Sequence, residues 1–100
     1  MESLYVCCEH AILIQTPSNH KILIDGGPSA QKLKLELGKR LPFWDRTIDL
    51  MILTQPHYDH IAGQIEVLHQ YIVKQVVSPE ISPYSYHHRE WLKIIENKDI

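Results

Sequence analysis

The chain has 100 residues, of which 44% are hydrophobic and 22% are charged, and its formal net charge at pH 7 is -2. This length allows one small domain, and the composition is that of a globular protein rather than of a disordered segment. The charge gives no global positive field for nucleic acid or an anionic membrane. The sequence shows neither a run of roughly 20 apolar residues nor a signal peptide, so we expect a cytoplasmic protein without a transmembrane segment.

Three short strands are predicted in the first quarter of the chain. The runs 4–8 and 11–15 are apolar on both faces, as in strands that are covered on both sides. The turn signal TPSNHK separates the second run from KILID at 21–25, so the second and third strands should form a β-hairpin. The Gly-Gly-Pro that follows ends the hairpin, because glycine permits backbone angles that are closed to other residues.

A helix from 30 to about 40 is predicted next, with Ser29 as its N-cap and a narrow stripe of leucines. The segment 32–46 holds five basic residues and two acidic ones. Such a run is usually a solvated helix face, and the alternative is a patch that binds phosphate groups. In the loop after the helix, we expect Phe43 and Trp44 to cover the core, and the alternative is a contact with a partner.

The second half of the chain predicts a strand–helix–strand unit and a last helix. IDLMILT at 48–54 is a short apolar strand, a helix runs from about 60 to 71, and VKQVVS at 73–78 is the second strand. Strands joined in this way should be parallel. The last helix, over 86–96, should point four residues inward: His88, Trp91, Leu92 and Ile95.

The loop after the strand at 48–54 is rich in potential metal ligands. Loops at the carboxyl ends of parallel strands are where α/β sheets place their sites. His57 and His60 offer imidazole nitrogens and Asp59 a carboxylate, which zinc and manganese accept. On spacing alone, these residues could instead cap the following helix, with Asp59 as its N-cap. Other histidines could act as substitute ligands: His10, His20, His69, His87 and His88.

These motifs resemble those of the metallo-β-lactamase superfamily. TQPHYDHIAG after an apolar strand is similar to the superfamily signature THxHxDHxGG. The order of AILIQTP, LIDGGP, LPFWDR and REWLKIIENK resembles the metallo-β-lactamase-like domain of the ComEC competence family, over roughly residues 11–98. The resemblance implies the N-terminal half of an αββα sandwich, in the α/β class (α+β in some schemes), with a mixed sheet and helices on one face. It also implies metal-dependent phosphodiester hydrolysis during DNA uptake, in a family whose full-length members are membrane-anchored.

The resemblance assigns roles to particular residues. His57, Asp59 and His60 match the second His, the Asp and the third His of the motif and would be metal ligands, with Asp59 also a candidate catalytic residue. Asp25 matches an Asp that would orient a ligating imidazole through its other nitrogen. The alternative for Asp25 is a turn residue bonded to its own backbone. Gln55 occupies the position at which the motif has its first His, and it would lie next to these ligands.

Departures from the motif predict a weakened site. Gln55 offers a zinc-like ion only a neutral oxygen, CCEH at 7–10 replaces the family's GQGD, and the family's later His, Asp and His ligands have no counterpart in these 100 residues. A catalytic zinc usually has three protein ligands. One ion position would have only His57, and the other would have Asp59 and His60. We therefore expect zinc or manganese at reduced affinity, or no metal, and little or no hydrolase activity.

Two alternatives remain open. One is an active metal-dependent phosphodiesterase whose site is completed by a partner chain or by other histidines. The other is a non-enzymatic module that binds a channel subunit or DNA through the segment 32–46, weakly because of the net charge. In addition, half of a sandwich leaves an apolar sheet face uncovered. We therefore expect a homodimer in which a second copy covers that face.

Overall fold

The computed structural model describes residues 3–7, 11–41, 44–55, 57–79 and 85–100, with the backbone alone for 3–7, 58 and 59. His10, Phe43 and residues 8–10 of the CCEH turn therefore lie outside the described residues. The strands are β1 (Ser3–Cys7), β2 (Ala11–Gln15), β3 (Lys21–Ile24), β4 (Thr47–Ile48), β5 (Leu50–Ile52), β6 (Ile72–Val73) and β7 (Val76–Val77). The helices are α1 (Ala30–Arg40), α2 (Tyr58–Gln70) and α3 (Tyr86–Lys98). In the described part of the chain, no helix combines the length and the apolar character needed to cross a bilayer.

The main sheet is mixed and has the strand order β1–β2–β3–β5–β7. The first three strands pair antiparallel, whereas β3, β5 and β7 pair parallel. The predicted hairpin and the predicted parallel pair are therefore confirmed. The α/β class with a mixed sheet is confirmed as well.

The two strands predicted over 48–54 and 73–78 are each split into two. β4 pairs with β6 in a separate two-stranded sheet, and β5 pairs with β7 in the main sheet. Asp49 lies where the chain passes from one sheet to the other, and its carboxylate accepts a 2.8 Å hydrogen bond from the backbone N–H of Lys21. In both runs polar residues stand at the break, Asp49 in the first and Lys74 and Gln75 in the second. Such an interruption alone does not show that the two halves of a run pair with different strands.

The helices pack on one face of the main sheet. Leu13, Leu23 and Met51 point to this face and form one core with the buried leucines of α1, the apolar side of α2 and Trp91 of α3. The predicted inward side of α3 is confirmed, since its His88 and Trp91 are buried. Burial of this face is the main stabilising term, because the hydrophobic effect scales with the apolar area removed from water.

Helix α2 begins earlier than the sequence predicted. It starts at Tyr58, and its N-cap residue is His57, which makes no side-chain cap bond. The carbonyl of His57 accepts hydrogen bonds from the N–H groups of His60 (2.9 Å) and Ile61 (3.1 Å). The prediction of Asp59 as the N-cap is therefore wrong, because these bonds close the first turn with Asp59 already inside it.

Two glycines bring the start of α2 against the turn that follows β3. Gly26 donates its N–H to the carbonyl of His60 (2.7 Å), and Gly63 donates its N–H to the carbonyl of Gly27 (3.1 Å). A Cβ atom added at Gly63 would lie 1.9 Å from the Gly26 carbonyl oxygen. Only residues without a side chain allow this approach, so the glycines set the distance between α2 and the end of β3.

A buried ion pair holds the loop after α1. The side chain of Lys21 is 3% exposed and that of Asp45 is 20% exposed, and the Lys21 ammonium donates to the Asp45 carboxylate. The hydrogen bond from Lys21 is the largest cause that lowers the pKa of Asp45, burial opposes it, and the N–H of Thr47 adds to the lowering.

Trp44 does not cover the core as expected, since it is 73% exposed. Instead, the neighbouring Asp45 pairs with the buried ammonium of Lys21.

The glycines provide a matched pair of substitutions. We expect Gly63→Ala to lower the free energy of unfolding by about 1–3 kcal/mol or more, because the new methyl group overlaps the backbone of the β3 turn. Gly38 in α1 has nothing within 4 Å of an added Cβ, so Gly38→Ala should raise stability by about 0.5–1 kcal/mol through helix propensity. Urea unfolding measures both, and equal effects of the two changes would contradict the close contact.

The ion pair predicts loss of stability in acid. Because the folded pKa of Asp45 lies below its ordinary value, the unfolded chain takes up the proton first as the pH falls. The stabilisation is therefore complete above the ordinary pKa and is lost as the pH falls from about 5 through the folded pKa. Asp45→Asn should remove this dependence and cost about 2–4 kcal/mol at neutral pH, since it leaves a buried ammonium without a counter-charge. Lys21→Met should cost less, because Asp45 retains contact with water, and the reverse order in urea titrations would refute this account.

Candidate metal centre

The candidate site lies at the carboxyl ends of β3 and β5. These strands are parallel neighbours, and the described residues that follow them are Asp25 on one side and 53–55 on the other, before His57. The N–H of Asp25 donates a 2.7 Å hydrogen bond to the carbonyl of Ile52. This edge is where open α/β sheets place their binding sites.

The buried carboxylate of Asp25 connects three segments. Its Oδ1 accepts the N–H of Thr54 at 2.8 Å, and its Oδ2 accepts the Thr54 hydroxyl at 2.6 Å and Nδ1 of His60 at 3.0 Å. An ionised carboxylate can only accept hydrogen bonds, so Nδ1 carries the proton. An ion bound by His60 would therefore be bound through Nε2. Carboxylates orient metal-binding imidazoles in this way.

The backbone at Asp25 takes a conformation that few side chains adopt. Its φ angle is 59°, in the left-handed region, which costs free energy for a residue other than glycine. The alternative interpretation, a carboxylate bonded to its own turn, does not describe Asp25, since its partners lie 29 and 35 positions away. Long-range hydrogen bonds therefore offset the local strain.

His57 and His60 lie at the start of α2, with ring centroids 6.5 Å apart. His57 is exposed, whereas the side chain of His60 is 14% exposed. Two imidazoles that share one tetrahedral zinc at about 2 Å have centroids about 5 Å apart. The observed separation of 6.5 Å is longer than this value.

The two remaining predicted site residues flank His57. Gln55 is exposed in the loop between β5 and α2. Asp59 lies in the first turn of α2, and its side chain is outside the described atoms. Its roles as a ligand and as a catalytic residue stay predictions.

The structure describes four of the five other candidate histidines. His88 is buried with its ring centroid 6.1 Å from that of Trp91, and burial lowers the pKa of His88. Among the side chains that are described, no three His, Cys, Asp or Glu residues form a group that could hold an ion. The other candidate substitutes in the described residues lie in the β2–β3 turn, at the end of α2 and at the start of α3: His20, His69 and His87.

Two residues beside the site were not anticipated from the sequence. One is Thr54, through its two hydrogen bonds to Asp25. The other is Gln64, which is fully buried, donates from Nε2 to the carbonyl of Ile52 (2.8 Å) and accepts from Nε1 of Trp91 (2.9 Å) at Oε1. The position of Gln64 on the apolar side of α2 was the available signal, because a buried amide there needs partners.

Comparisons with known proteins agree with this fold. Residues 6–99 match the family described as the metallo-beta-lactamase superfamily. The chain is 30% identical over 74 residues to the hydroxyacylglutathione hydrolase of Aeromonas hydrophila, an overlap that covers 74% of this chain and 27% of that protein. It is 31% identical over 71 residues to the enzyme of the same name from Aliivibrio fischeri, covering 71% and 26%. No solved structure matches the chain.

The chain thus spans about a quarter of the length of the curated relatives it matches. These relatives are hydroxyacylglutathione hydrolases, so the narrower likeness to the ComEC family is not shown by them. The family match covers nearly all residues, including the two strand ends, Asp25 and the His57–His60 loop. This chain belongs to the metallo-β-lactamase superfamily.

Proposed function

We propose that these 100 residues contribute the N-terminal part of the metal site of a metallo-β-lactamase-fold hydrolase. In this proposal His57, Asp59 and His60 bind zinc or manganese with reduced affinity, and the chain by itself hydrolyses little or nothing. The observation that carries the proposal is the 3.0 Å bond between Asp25 and His60. It holds an imidazole of the motif loop in the tautomer that a metal ligand needs.

The number of donor groups supports low affinity. The separation of His57 and His60 favours two ion positions, of which one would have a single imidazole and the other an imidazole and the Asp59 carboxylate. Zinc, which the superfamily typically binds, uses three protein ligands in catalytic sites. A bound ion of this kind supplies a water molecule of lowered pKa as the nucleophile. With so few donors, we expect only weak occupancy.

The substrate class has two candidates. The relatives are named hydroxyacylglutathione hydrolases, which favours a hydroxyacylglutathione. The likeness of LIDGGP, LPFWDR and the His57–His60 loop to the ComEC family favours a phosphodiester in DNA uptake. The exposed basic residues of α1 are the observation that supports weak DNA binding: Lys32, Lys34, Lys39 and Arg40.

The proposal is tested by metal uptake and hydrolysis of the full chain. We expect weak zinc or manganese binding, and no cleavage of bis-p-nitrophenyl phosphate or of a hydroxyacylglutathione above that of a His57→Ala, Asp59→Ala double variant. Gln55→His should strengthen zinc binding at least about tenfold, since each ligand of a zinc site contributes a few kcal/mol.

Gln55→Asn is the matched control, because it keeps a neutral amide at the same place. Gln55→His binding no better than Gln55→Asn would contradict the assignment of the loop. If the wild type hydrolyses either substrate much faster than the double variant does, the chain is an active enzyme. That outcome would favour the alternative in which other groups complete the site.

We also propose that a second copy covers the free face of the main sheet. By strand register, the face opposite the helices is wholly aliphatic in the described side chains, and none of its residues joins the core. A sheet of this size presents roughly 300 Å², at the lower limit of the largest apolar patches of monomers, which are often functional. Its members are Ile12, Ile14, Ile22, Ile24, Leu50, Ile52 and Val77.

This face predicts a dimer that depends on concentration. Two such faces bury less than the roughly 1,200–2,000 Å² of a standard specific interface, so we expect a weak dimer that dissociates in the micromolar range. Light scattering at about 1 and 100 μM should show the shift, and Ile24→Glu should abolish it. Ile72→Glu is the control, since Ile72 is 65% exposed and lies in the small sheet. A single 11.7 kDa species at both concentrations would refute the dimer.

A further inference from the structure

We infer that Thr54 is a positioning residue of the candidate metal centre. Its hydroxyl holds the Asp25 carboxylate in the orientation that directs Nε2 of His60 toward an ion. This inference rests on the proposed function, because it concerns how that site is prepared for metal. Neither the composition of the loop nor its likeness to a motif assigns Thr54 this role.

Thr54 donates two hydrogen bonds to one carboxylate. Its N–H reaches Oδ1 at 2.8 Å and its hydroxyl reaches Oδ2 at 2.6 Å. The second distance is typical of a hydroxyl bonded to an ionised carboxylate, a bond roughly twice as strong as one between neutral groups. Bonds to both oxygens fix the carboxylate plane, whereas one bond would leave its terminal torsion soft.

The oxygen that accepts the hydroxyl is the same oxygen that accepts His60. Oδ2 of Asp25 lies 3.0 Å from Nδ1 of the imidazole. The backbone of His60 is fixed separately, because its carbonyl accepts the N–H of Gly26 at 2.7 Å. Ring orientation then depends on where Oδ2 lies, and Thr54 sets that position.

A purely structural role for the hydroxyl predicts different results. The loop is already attached by backbone bonds, from Thr54 to Asp25 and from Leu53 to Val77 (2.9 Å). Thr54 itself is exposed, so Thr54→Val leaves no buried cavity. We expect it to change the free energy of unfolding by about 1 kcal/mol or less, while the imidazole loses its fixed tautomer.

The test uses the full chain with ¹⁵N-labelled histidine, first without metal. In mildly alkaline buffer, the ring nitrogen shifts should show the proton of His60 on Nδ1 in the wild type and in Thr54→Ser. Thr54→Val should give a mixture of tautomers. Zinc competition should then show that Thr54→Val binds zinc about tenfold more weakly than the wild type does. This is the low end of the loss of zinc affinity expected for Asp25→Asn. Thr47→Val is the matched control, because Thr47 lies in β4, and should match the wild type.

The two readouts separate this inference from the proposed function. A wild-type tautomer and wild-type zinc affinity in Thr54→Val would overturn the positioning role, as would failure of Thr54→Ser to restore both. A tautomer change in Thr54→Val together with no zinc uptake by the wild type would support the role of Thr54 and overturn the metal site. Urea unfolding of each variant verifies that the comparisons are made on folded protein.

Discussion

The candidate site depends on the placement of one carboxylate. Asp25 leaves β3 in a left-handed conformation, donates its N–H to the end of β5 and accepts hydrogen bonds from Thr54 and His60. Gly26 and Gly63 allow the turn and α2 to approach closely enough for these bonds to form. Because short bonds to fixed backbone groups tolerate little movement, a change in any of these contacts would displace the imidazole.

Local patterns predicted most of the fold, whereas contacts between distant segments could not be derived from them. Periodicity located α1 and α3, and the turn signal located the hairpin. The change of sheet at Asp49 could not be derived, because one polar residue in an apolar run does not show that its two sides pair with different strands. The early start of α2 follows from hydrogen bonds at His57 and from the glycine contact. The motif named Asp25 as a partner of an imidazole, but only the structure shows Thr54 on the same oxygen.

At this site, the groups that orient an imidazole ligand are present, although the number of potential ligands is small. The groups that orient His60 are in place, namely a buried acceptor and a fixed backbone. The donor groups are fewer, because Gln55 stands where the superfamily pattern has a His. Orientation and donor number are separate requirements, since a well-oriented imidazole still leaves an ion largely to water. The proposed weak binding is therefore compatible with a well-oriented His60 imidazole.

The proposed dimer face and the candidate ligands are linked by geometry. Both belong to the same sheet, and the His57–His60 loop lies at the carboxyl end of its parallel strands. A two-fold axis parallel to the strands would bring two such ends together, with sheets about 10 Å apart. An axis across the strands would place the loops at opposite ends. Only the first arrangement lets one copy contribute ligands to the other, so the orientation of the axis decides whether dimerisation can complete the site.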